Sequence, residues 1–189
     1  MSRIPFPTPD QMDEAQRRVH DKVVAGRRGK IVGPLRAALH SPELADRWQA
    51  LGEFLRYNTS LPPRLSELAI LVTGRACQSP FEWYAHKLEA DKIGMDPAVV
   101  EALLAQRTPQ GLDPDAAVVV RFAQELNQHR SVSDATYADA LALLGTRTVV
   151  ELTALVGYYT MVAMTLNTHE IPLPEGETPA FPLPQEAWR

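Results

Sequence analysis

Between Arg64 and Gly94 the chain reads RLSELAILVTGRACQSPFEWYAHKLEADKIG, and most of its usable chemistry is concentrated there. Glu82 and His86 are four residues apart, so on a helix they share a face and the carboxylate can orient the imidazole for proton transfer. Glu82 has a second reading as the N3 partner of Ser79 in a capping box, a purely structural task. Glu67 lies one turn after Arg64, where it is either a proton carrier in a partly buried setting or half of an ion pair at a helix start. Burial favours the neutral form of a carboxyl group, and a nearby cation favours the ionised one. Cys77 stands just before a new helix, a place that favours a thiolate, but a small buried apolar cysteine explains it equally well.

Metal binding through Glu67, Glu82 and His86 finds no support in HxxH, HExxH or CxxC spacing. Glycine-rich phosphate loops, a GxSxG elbow and a dinucleotide fingerprint are all missing. The expectation is a site without metal or organic cofactor. His20, His40, His129 and His169 are scattered and have no partners at useful spacing.

The elements that must position these residues are helices. Proline marks many of their starts, because the first helical N–H has no intrahelical partner to lose. Thr8-Pro9-Asp10-Gln11 predicts a helix to about Gly26, followed by a loop to Pro34. Ser41-Pro42-Glu43 opens a helix to Tyr57, with Leu44, Trp48, Leu51 and Leu55 at helical spacing. From Leu65 to Ala76 apolar residues cover nearly every face, which predicts a helix packed on all sides. Further starts at Ser79, Asp96, Asp113, Ser133 and Thr148 give about eight helices, with breaks at Gly94 and Gly145. Thr148 and Glu151 have capping-box spacing at the last of these, which runs to about Asn167. No segment alternates with period two, so the fold class is all-α.

Residues 1–170 read as one domain, and 171–189 as an extended tail with five prolines in nineteen residues. The hexamers Glu67–Val72 and Glu151–Val156 agree at four of six positions. Either a duplicated helical unit or ordinary helical composition accounts for this.

The chain has 189 residues, 45% of them hydrophobic, enough for one substantial core. A net charge of -4 argues against a nucleic-acid partner, which would require clustered surplus Lys and Arg. A single cysteine excludes intrachain disulfides and suits a reducing, cytoplasmic setting. Val149 to Leu166 is only marginally long enough to span a membrane and contains Glu151, so a buried core helix is expected.

RLSELAIL, a helix start, and then EWYAHKLEADKIGM together resemble the carboxymuconolactone decarboxylase family, within the alkylhydroperoxidase D-like superfamily. The likeness is clearest over 41–104. It implies an alkylhydroperoxidase D-like bundle and a trimer or hexamer. It also implies a small ring-derived carboxylate or lactone substrate in aromatic-compound catabolism, with Glu67, Glu82 and His86 as the catalytic set.

The peroxidase branch uses a CxxC pair, but here those two positions hold Ser79 and Glu82, and Cys77 falls two residues early. A one-cysteine, peroxiredoxin-like oxidoreductase using Cys77 therefore stands as one alternative to a cofactor-free lyase. A non-catalytic small-acid binder is another. Arg75 or Arg64 would hold the substrate carboxylate. Trp83, Tyr84, Tyr158 and Tyr159 are either pocket liners or core aromatics.

Overall fold

The computed structural model describes residues 2–182, and among them no strand occurs. Eight helices follow in order: α1 Glu14–Ala25, α2 Pro34–Ala38, α3 Pro42–Tyr57, α4 Pro63–Ala76, α5 Pro80–Lys92, α6 Pro97–Leu104, α7 Pro114–His129 and α8 Asp134–Thr168. Helices α2 to α7 all begin on proline. The prolines thus set register as well as boundaries, since each forbids the helix from extending one residue back.

Helix α4 is the axis of the bundle. Every residue from Leu65 to Gly74 is buried, because α5, α7 and α8 pack around it. Its all-round apolar character is the direct cause: a helix without a polar face gains most from removal from water on every side. Glu67 is the exception on that helix, and a carboxylate in such a place requires a partner.

The structure differs from the sequence reading at its N-terminal helices. The start at Thr8 is a turn, in which Gln11 N–H donates to Thr8 O at 2.8 Å. Helix α1 begins at Glu14 instead, where Asp13 and Gln16 form a complete capping box. That box satisfies two end groups reciprocally, which the Thr8 segment cannot do. The short α2 begins at Pro34, where the expected loop ends, in a stretch before Ser41 for which no element is expected. At the other end, the break expected at Gly145 is present: α8 consists of two helical stretches joined across a kink at Gly145, whose φ 78° and ψ 162° are not helical. The Thr148–Glu151 cap is absent, and both residues turn to Ser60 instead. Glu151 accepts from the Ser60 backbone N–H at 2.6 Å, and the Ser60 and Thr148 hydroxyls lie 2.9 Å apart.

Helix α8 is long and apolar enough to cross a membrane, but one of its faces is buried against α4 and α7. The proline-rich tail folds back on its own chain: Ile171 is buried and Phe181 packs edge-on against Trp83. Residues 183–189 of the tail lie outside the described residues.

Candidate functional site

Helices α4 and α5 meet at a tight turn, and that turn sets the geometry of the site. Gln78 takes a left-handed backbone (φ 49°), and Ser79 N–H closes back on Gly74 O at 2.9 Å. Asn167, near the end of α8, donates its side-chain N–H to Cys77 O at 2.9 Å. The α5 helix is thereby directed back along α4, and the first two turns of α5 face the middle of the α4 helix.

Across this contact His86 Nδ1–H donates to Glu67 Oε2 at 2.7 Å. Both side chains are buried, at 5% and 8% exposure, so the pair is shielded from screening by water. The bond fixes the ring and leaves Nε2 as the nitrogen available for proton transfer. The Tyr159 ring meets the imidazole edge-on at 4.9 Å and is itself met edge-on by Tyr158 at 5.3 Å, so an aromatic pair backs the histidine.

Glu82 is 2% exposed, and neither carboxylate oxygen has a hydrogen-bond partner. Burial alone pushes its carboxyl well above the usual carboxylate range, which favours the protonated form. It does not cap α5, because no side-chain cap is made by Ser79. It does not bond to His86 either, whose Nδ1 is taken by Glu67. The partner of the histidine is thus nineteen residues away on another helix, not four away on its own.

His86, Glu82, Tyr158 and Tyr159 share a cavity of about 80 Å³, closed by Arg28, Val32, Gly33, Pro34, Leu35, Arg56, Phe81, Ala85, Val162 and Leu166. Phe81 and Leu166 also line a neighbouring cavity of about 340 Å³ beneath the tail. The Tyr159 hydroxyl is held in its neutral form chiefly by burial, with Arg56 opposing and Glu67 reinforcing that shift. Burial works against the charge of Arg56, but Tyr159, Tyr57, Glu67 and Glu89 around it outweigh that and push its value up.

The remaining sequence candidates lie elsewhere. Arg64 pairs with Asp115 at 2.8 Å and not with Glu67. Arg75 donates to Leu104 O at 2.8 Å and stacks on Phe181. Trp83 packs on the tail, and Tyr84 faces Glu177. Cys77 is half-buried against Asn127, outside the cavity lining. Burial and the nearby Glu82 push its thiol above the ordinary value, and Thr160 and Arg130 only partly oppose this.

Arg28 and Arg56 are cavity residues that the sequence did not suggest. Nothing in local spacing ties the α1–α2 loop or the end of α3 to His86, and only the packing of α8 brings them together. Among the described residues no group of three or more His, Cys, Asp or Glu side chains could hold a metal ion.

Residues 42–125 match the carboxymuconolactone decarboxylase family model, which covers α3 to most of α7. No curated protein matches the sequence. The fold is that of alkylhydroperoxidase D-like proteins. An uncharacterized peroxidase-related protein from Ralstonia eutropha, described as an alkylhydroperoxidase D core, superposes with TM-score 0.76 at 17% identity, covering 92% of this chain and 93% of that one. A peroxidase-related protein from Silicibacter gives 0.75 at 15% identity, over 90% and 91%. The debrominase Bmp8, as a cysteine-to-alanine variant holding 2,3,4-tribromopyrrole, gives 0.70 at 11% identity, over 93% and 95%.

Proposed function

With residues 42–125 carrying the carboxymuconolactone decarboxylase pattern, we propose that this chain is a cofactor-free lyase acting on a small ring-derived carboxylic acid or lactone acid. The observation that carries the reading is the buried, unpartnered Glu82 in the same cavity wall as His86, which Glu67 holds from behind by a buried hydrogen bond. A carboxyl group held protonated by its surroundings is a proton donor at neutral pH, and burying it without a partner is costly unless it serves a reaction.

In the proposed reaction the bond from the ring to the carboxylate breaks and carbon dioxide leaves. The electron pair stays with the ring and spreads into the conjugated lactone carbonyl as a dienolate. Glu82 gives its proton to the carbanionic carbon and becomes a carboxylate. His86, held by Glu67, then returns a proton to Glu82 from water. The Arg56 charge and the neutral Tyr159 hydroxyl favour the developing anion. The reacting end occupies the 80 Å³ cavity, and the rest of the ring extends past Phe81 and Leu166 toward the 340 Å³ one.

The peroxidase-related alternative rests on the names of the structural neighbours. It has less support in this chain, because the Cys77 thiol is raised and lies outside the cavity. Self-association is supported by an exposed apolar face on α8, with Val150 at 64% and Met164 at 59% exposure. Light scattering of the purified protein tests it: a mass above that of one chain is expected, and a monomer at micromolar concentration removes the idea.

The reaction is tested by turnover in deuterated water. One deuterium is expected at the carbon that lost carbon dioxide, with release abolished in Glu82→Gln. Full activity in Glu82→Gln would rule out the carboxyl group as the donor.

A further inference from the structure

We propose that Arg28 is the anion-binding residue of the cavity, donating its buried Nε–H and guanidinium edge to a planar carboxylate of the ligand. This rests on the lyase reading and names the group that orients the substrate in it. Arg28 comes from the α1–α2 loop and lines the cavity beside Glu82, His86 and Tyr158. Its Nε is buried and has no hydrogen-bond partner. No carboxylate lies within ion-pair distance of it among the described residues, whereas Arg56 is partly neutralised by Glu89 at 3.7 Å. An arginine so placed, with a donor turned away from water and no anion to meet it, has the requirements of a carboxylate fork.

The side chain is also positioned. The Tyr158 hydroxyl and Arg28 Nη2 lie together directly over Gly52 on α3. A Cβ on Gly52 would overlap the Tyr158 hydroxyl and Arg28 Nη2, so that glycine is what lets the pair cross the helix. Glu82 does not compete for the arginine, since neither of its carboxyl oxygens has a hydrogen-bond partner. The carboxylate held by Arg28 is one that keeps its charge through the reaction. A cation on the departing group would stabilise the reactant more than the transition state, in which that charge has moved into the ring.

Binding of 2-furoate and of its neutral isostere 2-furamide, measured by calorimetry, tests the assignment without requiring turnover. The wild-type protein is expected to prefer the acid by about tenfold or more. Arg28→Gln should abolish that preference by weakening the acid alone, Arg28→Lys should retain part of it, and Gly52→Ala should reduce it by displacing the arginine. A wild-type protein that does not prefer the acid, including one that binds neither compound, overturns the proposal. So does an Arg28→Gln or, should that variant not fold, an Arg28→Lys protein that keeps the full preference. His86→Gln separates the two readings: the preference is expected to survive in it while turnover is lost. Turnover that survives in His86→Gln would count against the relay and leave the anion site standing.

Discussion

Glu82 makes the sharpest case for function at the level of single residues, because its environment serves stability badly. In the folded chain it keeps its proton well above the ordinary carboxyl value near 4.5, whereas in the unfolded chain it loses it. The unfolded state therefore binds fewer protons, and this group lowers stability as pH rises, on the order of 1.4 kcal/mol per pH unit until the folded group ionises. Glu82→Gln removes that dependence. Urea denaturation should show the variant gaining stability over the wild type from pH 5 to pH 8, and an equal difference at both values would mean that Glu82 is not held neutral. Cys77 gives the opposite expectation: Cys77→Ala should retain turnover within about twofold, since the thiol touches no reacting group, and a loss of tenfold or more would reinstate it. Glu67, Glu82 and His86 were all legible as ionisable residues in a short stretch. Their pairing was not, because sequence spacing favours the four-residue neighbour on one helix and only the α4–α5 turn brings Glu67 within reach. The arginines Arg64 and Arg75 were near in sequence but point to Asp115 and Phe181, and the cavity cations come from distant segments.

At the level of elements, proline placement and the breadth of the apolar face carried most of the information. The starts at Pro42, Pro80, Pro97 and Pro114 were readable because each pairs a capping residue type with a residue that cannot sit deeper in a helix. The Thr8 start failed because a proline and a cap suffice for a turn, while the competing Asp13–Gln16 box satisfies more end groups. Helix α2, five residues long, carries too little periodicity to be seen. Gly145 is a break in the sequence and a kink in the structure, since a residue at φ 78° and ψ 162° cannot continue the helix. That conformation is essentially confined to glycine, and nothing surrounds the position. Gly145→Ala should therefore cost about 1–3 kcal/mol from backbone strain alone. Chemical denaturation checks it, and an unchanged midpoint would show that the kink relaxes.

For the whole molecule, the all-α class followed from the all-round apolar α4 and the absence of alternating segments, whereas the alkylhydroperoxidase D-like fold was implied by the resemblance that RLSELAIL and EWYAHKLEADKIGM carry. The cavity did not follow, since its wall combines the α1–α2 loop with α2, α3, α5 and α8, and its shape depends on how these cross. Its division by Phe81 and Leu166 is a property of the packed chain, and Phe81→Ala should join the 80 and 340 Å³ spaces and admit bulkier ring acids. A substrate-size profile unchanged by that variant would show that the two spaces are used separately. The account as a whole stands on proton transfer by the Glu67–His86 pair next to a neutral Glu82. Its most direct test is carbon dioxide release from a panel of lactone acids and other ring-derived acids, comparing the wild type with His86→Gln, in which the amide can still donate to Glu67 and preserve the fold. Release by the wild type, reduced about a hundredfold or more in His86→Gln, is the result expected. Equal release by both, or none from any acid by the wild type, would contradict it.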